Sequence, residues 1–107
     1  MKIAVSTLGR GMEDPVDPRF GRARGFVIVD SNQDNFAFVD NQSNIELAQG
    51  AGIQTAQFIA DQEVTIVVSG RFGPKAAQVL NQAGIRMVTV PDGTTVREAV
   101  RQAGQTG

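Results

Sequence analysis

The sequence contains no cysteine and no histidine. The first absence rules out disulfides and thiolate metal sites, and the second removes the commonest metal ligand and the usual general base. Zinc-dependent hydrolysis and nucleophilic catalysis of the Ser-His-Asp or Cys-His type are therefore excluded. Charge of one sign is scarce as well. The formal net charge is -1, and no long run of like charges supplies the broad basic surface that a duplex nucleic-acid binder needs. The opening MKIAVSTLGR lacks the apolar core of about 7 to 15 residues found in secretory signals, and no stretch approaches the roughly 20 apolar residues of a membrane span. These absences predict a soluble cytoplasmic protein, without nucleic-acid or membrane partners, folded as one domain over residues 1–107.

What the sequence does have is a stiffened loop. Asp14 to Arg24 reads DPVDPRFGRAR and lies in a linker of roughly 17 residues between two apparent strands, longer than compact domains usually tolerate without a function for the loop. Pro15 and Pro18 fix their own backbone angles and push Asp14 and Asp17 toward extended geometry. Gly21 then allows a turn or a close approach beside Arg19, Arg22 and Arg24. The plainer reading of the same residues is a rigid surface loop whose arginines are solvated or pair with Asp14 and Asp17, with Phe20 tucked into the core.

The remaining elements follow from periodicity. Lys2–Thr7 (KIAVST) is a short apolar run suited to a strand covered on both faces. Gly25–Asp30 (GFVIVD) and Asn35–Asp40 (NFAFVD) are strands separated by SNQD, four turn-forming residues of hairpin length, and so predict antiparallel neighbours. Asn41–Leu47 shows no period and reads as irregular. A helix is predicted over about Gln49–Gln62, where Gly50 and Gly52 let the first turn lie close against another backbone or a ligand. Val64–Val68 (VTIVV) is the strongest strand signal and reads as central. SGRFGP then turns into a helix with Pro74 in its first position and Gly84 as its C-cap. Ile85–Val90 carries Arg86 and suits an edge strand. Thr95 and Glu98 form a capping-box signature for a last helix, with fraying expected after Gly104. The order β-β-β-α-β-α-β-α predicts an α/β fold with one mixed five-stranded sheet and three helices.

If the first strand lies parallel to VTIVV, the loops after both leave the carboxyl edge of the sheet, where open α/β sheets bind ligands. DPVDPRFGRAR then faces SGRFGPK. Six of the ten cations, Arg10, Arg19, Arg22, Arg24, Arg71 and Lys75, fall in these two loops against Glu13, Asp14 and Asp17. A glycine-bounded turn running into a helix also offers backbone N–H groups and the positive end of the helix dipole, a suitable anion cradle. Glycines and a proline kept for turn geometry alone explain the same residues. The GxxxxGK[ST] spacing of a nucleotide-binding P-loop is absent. Paired carboxylates for a two-metal nuclease are not evident either, because the first strand carries no acid and Asp30 and Asp40 stand at strand ends.

The MKIAVS opening, DPRFGRARGFVIVD, GAGIQTAQFIAD, VVSGRFGPKAAQVLNQAGI and GTTVREAV, in that order over nearly the whole chain, resemble the dinitrogenase iron-molybdenum cofactor biosynthesis family, the small domain of NifX, NafY and the C-terminal part of NifB. The resemblance implies a ribonuclease H-like three-layer fold with sheet order 3-2-1-4-5 and the second strand antiparallel. It also implies a non-catalytic carrier of an anionic iron-sulfur or iron-molybdenum cluster or its precursor, working with metallocluster biosynthesis or acceptor proteins. One departure stands out: many relatives have histidine before the Phe-Gly of the first loop, where this chain has Arg19. Arginine pairs with an anionic cluster but does not ligate iron. Met12, Asp14 and Asp17 are weak candidate ligands, and no metal-ligating set is assigned.

The expected binding residues are Arg19, Phe20, Gly21, Arg22, Ser69, Gly70, Arg71, Gly73 and Lys75, the cations supplying charge and the glycines close backbone approach. The expected oligomeric state is a monomer or weak dimer. Two other classes fit the same residues. One is a protein-interaction or regulatory domain that has kept the fold without the cluster. The other is an enzyme acting on a phosphorylated or nucleotide-like small molecule through SGRFGPK, with Asp14, Asp17 or Lys75 as its acid-base groups.

Overall fold

A computed structural model of the chain describes residues 1–30 and 35–106. Five strands, β1 (Lys2–Thr7), β2 (Gly25–Asp30), β3 (Asn35–Asp40), β4 (Ile66–Ser69) and β5 (Arg86–Thr89), form one sheet in the order β3-β2-β1-β4-β5. β2 is antiparallel to both β1 and β3, while β1, β4 and β5 run parallel. This is the mixed sheet expected from the chain order. The expected SNQD turn lies outside the described residues.

The helices are α1 (Gln42–Ile45), α2 (Ala51–Ala60), α3 (Pro74–Gln82) and α4 (Val96–Thr106). The single turn of α1 falls where the sequence reads as irregular, because four residues carry no detectable period. α4 continues to Thr106, past the glycine at 104 where fraying is expected. Among the described residues no helix is long and apolar enough to cross a membrane.

Alternation along the strands divides the core between the two sheet faces. Ile3, Val5, Val27, Val29, Ile66 and Val68 pack with Val96, Ala99 and Ala103 of α4. Ala4, Phe26 and Val67 meet Ala56 and Ile59 of α2, Ala76 and Leu80 of α3, and Phe20 from the long loop. Three layers result, with the loop adding to both outer ones.

The first half of the long loop is held to α4 by main-chain hydrogen bonds. The first-turn N–H groups of α4, which have no acceptor within the helix, donate from Val96 to the Asp14 carbonyl (2.9 Å) and from Arg97 to the Met12 carbonyl (2.8 Å). Thr95 Oγ1 accepts the Glu98 N–H at 3.2 Å, as the capping signature predicts. Thr95→Ala is expected to cost about 1 kcal/mol, read as a lowered urea midpoint with an unchanged denaturant slope.

Candidate functional site

The second half of the loop is tied down where β1 and β4 end side by side. Asp17 N–H donates to the Ser6 carbonyl (2.9 Å). The Asp17 carbonyl is approached by Ser6 Oγ at 2.7 Å and Ser69 Oγ at 3.2 Å, the two hydroxyls lying 2.9 Å apart. All three residues are buried. Small polar residues at adjacent strand ends thus anchor a carbonyl that would otherwise be buried without a partner. The Asp17 carboxylate caps the turn at Pro18 by accepting the Arg19 N–H (2.9 Å), an Asx-type turn. It also lies 3.5 Å from the Arg19 guanidinium.

From this anchor the chain runs across to the β4–α3 turn. Arg19 forms an isolated parallel bridge with Arg71, and Phe20 N–H donates to the Arg71 carbonyl at 3.2 Å. A short 3-10 turn, Phe20–Arg22, follows. Phe20 turns its ring inward, 1% exposed, against Phe26 (5.4 Å between centroids) and Phe72 (5.2 Å). A Cβ on Gly21 would lie 3.0 Å from Gly52 Cα, so the turn rests directly on the first turn of α2.

These contacts leave an open cleft of about 440 Å³, lined by Arg19, Phe20, Gly21 and Arg22, by Gly52 of α2, and by Arg71 to Ala76. Its floor is apolar and glycine-rich, and its rim carries Arg19, Arg22, Arg71 and Lys75, all exposed. Arg22 Nη1 donates to the Ile45 carbonyl (3.0 Å), which keeps its charge beside the cleft. Among the described residues neither Arg71 nor Lys75 makes an ion pair. The N-termini of α2 and α3 meet here: a Cβ on Gly52 would touch Ala76 Cβ at 3.6 Å. Two helix dipoles therefore add positive potential to that of the four cations. The site suits an anion with an apolar surface.

Seven of the nine residues named from the sequence line this cleft. Ser69 and Gly70 do not. Ser69 serves the buried anchor, and a Cβ on Gly70 would come within 2.6 Å of Pro18 Cα and 2.9 Å of its carbonyl oxygen. The glycines therefore differ in role. Gly21 and Gly70 make room for protein backbone, whereas a Cβ on Gly73 would meet nothing within 4 Å. Gly70→Ala is expected to lower stability by about 1 to 3 kcal/mol. Gly73 is the N-cap of α3, so Gly73→Ala should cost no more than about 1 kcal/mol and leave a folded protein in which a larger loss of anion binding reports on the cleft.

Gly52 and Phe72 enter the site without having been assigned to it from sequence. The two glycines in the first turn of α2 were the available signal for Gly52. A further residue, Asn41, gave none. Fully buried, it donates from Nδ2 to the Ala23 carbonyl (2.9 Å) and lies 3.1 Å from Thr55 Oγ1, while its Oδ1 accepts from Asn44 Nδ2 (2.7 Å). It ties the loop exit to α1 and α2. Arg10 and Arg24 belong to a separate cleft with Leu8, Gly9, Phe38, Asp40 and Gln42. Among the described residues no group of three or more carboxylates, the available ligand type, could hold a metal ion.

Comparison with known proteins gives matches over nearly the whole chain. The sequence pattern described as dinitrogenase iron-molybdenum cofactor matches residues 1–106. The apo form of the orange protein from Desulfovibrio gigas superposes with a TM-score of 0.94 at 43% identity, over 98% of this chain and 88% of that one. A Thermotoga protein provisionally called NifB and placed in the DUF35 family superposes with a TM-score of 0.82 at 28% identity, over 97% and 87% of the two chains. None of the curated proteins matches at a significant level.

Proposed function

Because the chain belongs to the dinitrogenase iron-molybdenum cofactor family, whose role lies in metallocluster biosynthesis or binding, we propose that it is a non-catalytic carrier of an anionic iron-sulfur or iron-molybdenum cluster or its precursor. The observation that carries this reading is the cleft itself: four rim cations and two helix N-termini around an apolar floor, with no thiolate or imidazole within the sequence. Such a donor set fits a preassembled anionic cargo held by charge and backbone N–H groups. It does not fit ligation of a cluster's iron by thiolate or imidazole, because the sequence has neither cysteine nor histidine. Arg71 in the turn before α3, its bridge partner Arg19, Arg22 and Lys75 of the first turn of α3 supply the charge, and Phe20 and Phe72 the apolar floor.

A charge-held cargo has a salt signature. Anaerobic gel filtration of the protein mixed with isolated cluster should show cluster metal eluting with the protein at low salt and separating from it in about 0.5 M salt, where screening acts over only a few ångströms. Retention of the metal at high salt would instead require coordination and would overturn this description of the site.

A further inference from the structure

The sheet has two edges, and they are finished differently. β5 is four residues long and starts with an exposed arginine, Arg86. β3 has six residues, NFAFVD, with no lysine, arginine or proline, and it pairs with β2 in unbroken register from Asn35 opposite Asp30 to Asp40 opposite Gly25. Phe36 is 50% exposed. Edges of this kind invite strand addition, and proteins that do not use them usually place charges, prolines or bulges there.

The register fixes which peptide groups are on offer. Asn41 N–H donates to the Arg24 carbonyl, so the pairs Val39–Phe26, Ala37–Ile28 and Asn35–Asp30 hydrogen-bond inward by the antiparallel alternation. The N–H and C=O groups of Phe36, Phe38 and Asp40 consequently point outward.

At the Asp40 end of this edge lies the second cleft, about 170 Å³, with Leu8, Arg10, Arg24 and Phe38 among its walls. The Arg10 guanidinium sits 4.7 Å over the Phe38 ring. Two glycines make room for that stack. A Cβ on Gly25 would lie 2.3 Å from the Phe38 ring, and one on Gly9 would lie 2.2 Å from the Asp14 carboxyl carbon. That carboxylate accepts the N–H groups of Arg10 (3.0 Å) and Gly11 (2.9 Å) and so fixes the loop that presents Arg10. Asp40 turns its own carboxylate to the Gln42 N–H (2.7 Å). Among the described residues neither Arg10 nor Arg24 has an acidic partner within ion-pair distance.

We propose that β3 and this cleft form a docking surface for an extended acidic segment of a partner protein. The segment adds as a sixth strand through Phe36, Phe38 and Asp40, lays apolar side chains on Phe36 and Leu8, and sets carboxylates on Arg10 and Arg24. The charge of the pair selects an acidic partner, and strand addition supplies affinity that is independent of side-chain sequence. α1 links this surface to the cargo cleft: Gln42 lines one, and the Ile45 carbonyl holds Arg22 at the other. This surface shares no residue with the cargo cleft, and no cargo is present in its test.

The probes are two synthetic peptides of alternating valine with glutamate or with lysine, added to the full chain while amide hydrogen exchange is followed by NMR. The Val/Glu peptide should slow exchange at Phe36, Phe38 and Asp40 and leave the inward-bonded Ala37 and Val39 unchanged. Arg10→Glu with Arg24→Glu should lower its affinity at least about tenfold and allow the Val/Lys peptide, ignored by the parent, to bind. No slowing with the Val/Glu peptide, or equal binding of both peptides by the parent, overturns the proposal. So does slowing at the same amides that rises with protein concentration alone, since the occupant would then be a second copy.

Discussion

Replacing Arg19 and Arg71 together by alanine is expected to weaken binding of an anionic cluster by about a hundredfold while leaving the thermal midpoint nearly unchanged. The two arginines are brought together by main-chain contacts, the bridge between residues 19 and 71 and the Phe20 N–H to Arg71 carbonyl bond, and neither contact needs the side chains. Each charge-assisted hydrogen bond to an anion contributes about 1.5 to 3 kcal/mol. The Arg19 side chain is 51% exposed and shares its charge with Asp17, so screening reduces its part. Two contacts at about 1.4 kcal/mol each give the factor of about one hundred. Arg97 and Arg101 are the matched control. Their side chains are 62% and 63% exposed on α4, where they pair with Glu13 and Glu98. Alanine at both should change cluster affinity less than about twofold. Anaerobic titrations of the parent and both double variants, read by bound iron, decide the matter.

Phe20→Ala should give the largest loss of stability, about 3 to 5 kcal/mol in denaturant unfolding. The ring is buried between Phe26 of β2 and Phe72 of the β4–α3 turn, so its removal leaves a cavity beneath the cleft and loosens both walls at once. For a chain of this size such a loss lowers the thermal midpoint by well over about 10 °C. Phe36→Ala, at a ring half exposed on β3, should cost no more than about 1 kcal/mol. Equal effects of the two substitutions would mean that Phe20 is not the support of the cleft.

β1, β2 and β3 were legible to the residue, because each is an unbroken apolar or alternating run ended by a turn former. For β4 the apolar pattern spans Val64–Val68, whereas the strand runs Ile66–Ser69. Val64 and Thr65 belong to the approach, where Glu63 adopts a positive φ of 63° that no sequence pattern announces for glutamate. The meeting of the two arginine-bearing loops was legible too, since parallel β1 and β4 send both to one edge. The division of labour within those loops was not. Ser69 and Gly70 look like parts of an anion cradle, yet one anchors Asp17 and the other clears Pro18. Small residues serve either purpose, and only the three-dimensional approach of the partner decides between them. Asn41 shows the same limit from the other side. A polar residue after a strand reads as loop, and its burial depends on Ala23, Asn44 and Thr55, from 3 to 18 positions away.

The carrier reading of the cleft is tested most directly by titrating the folded parent protein, anaerobically, with an isolated iron-sulfur or iron-molybdenum cluster while amide chemical shifts and bound metal are recorded together. Saturable binding with shifts concentrated at Arg19 to Arg22, Gly52 and Arg71 to Ala76 is the expected result. A folded protein that takes up no cluster, or one whose shifts fall elsewhere, would contradict it.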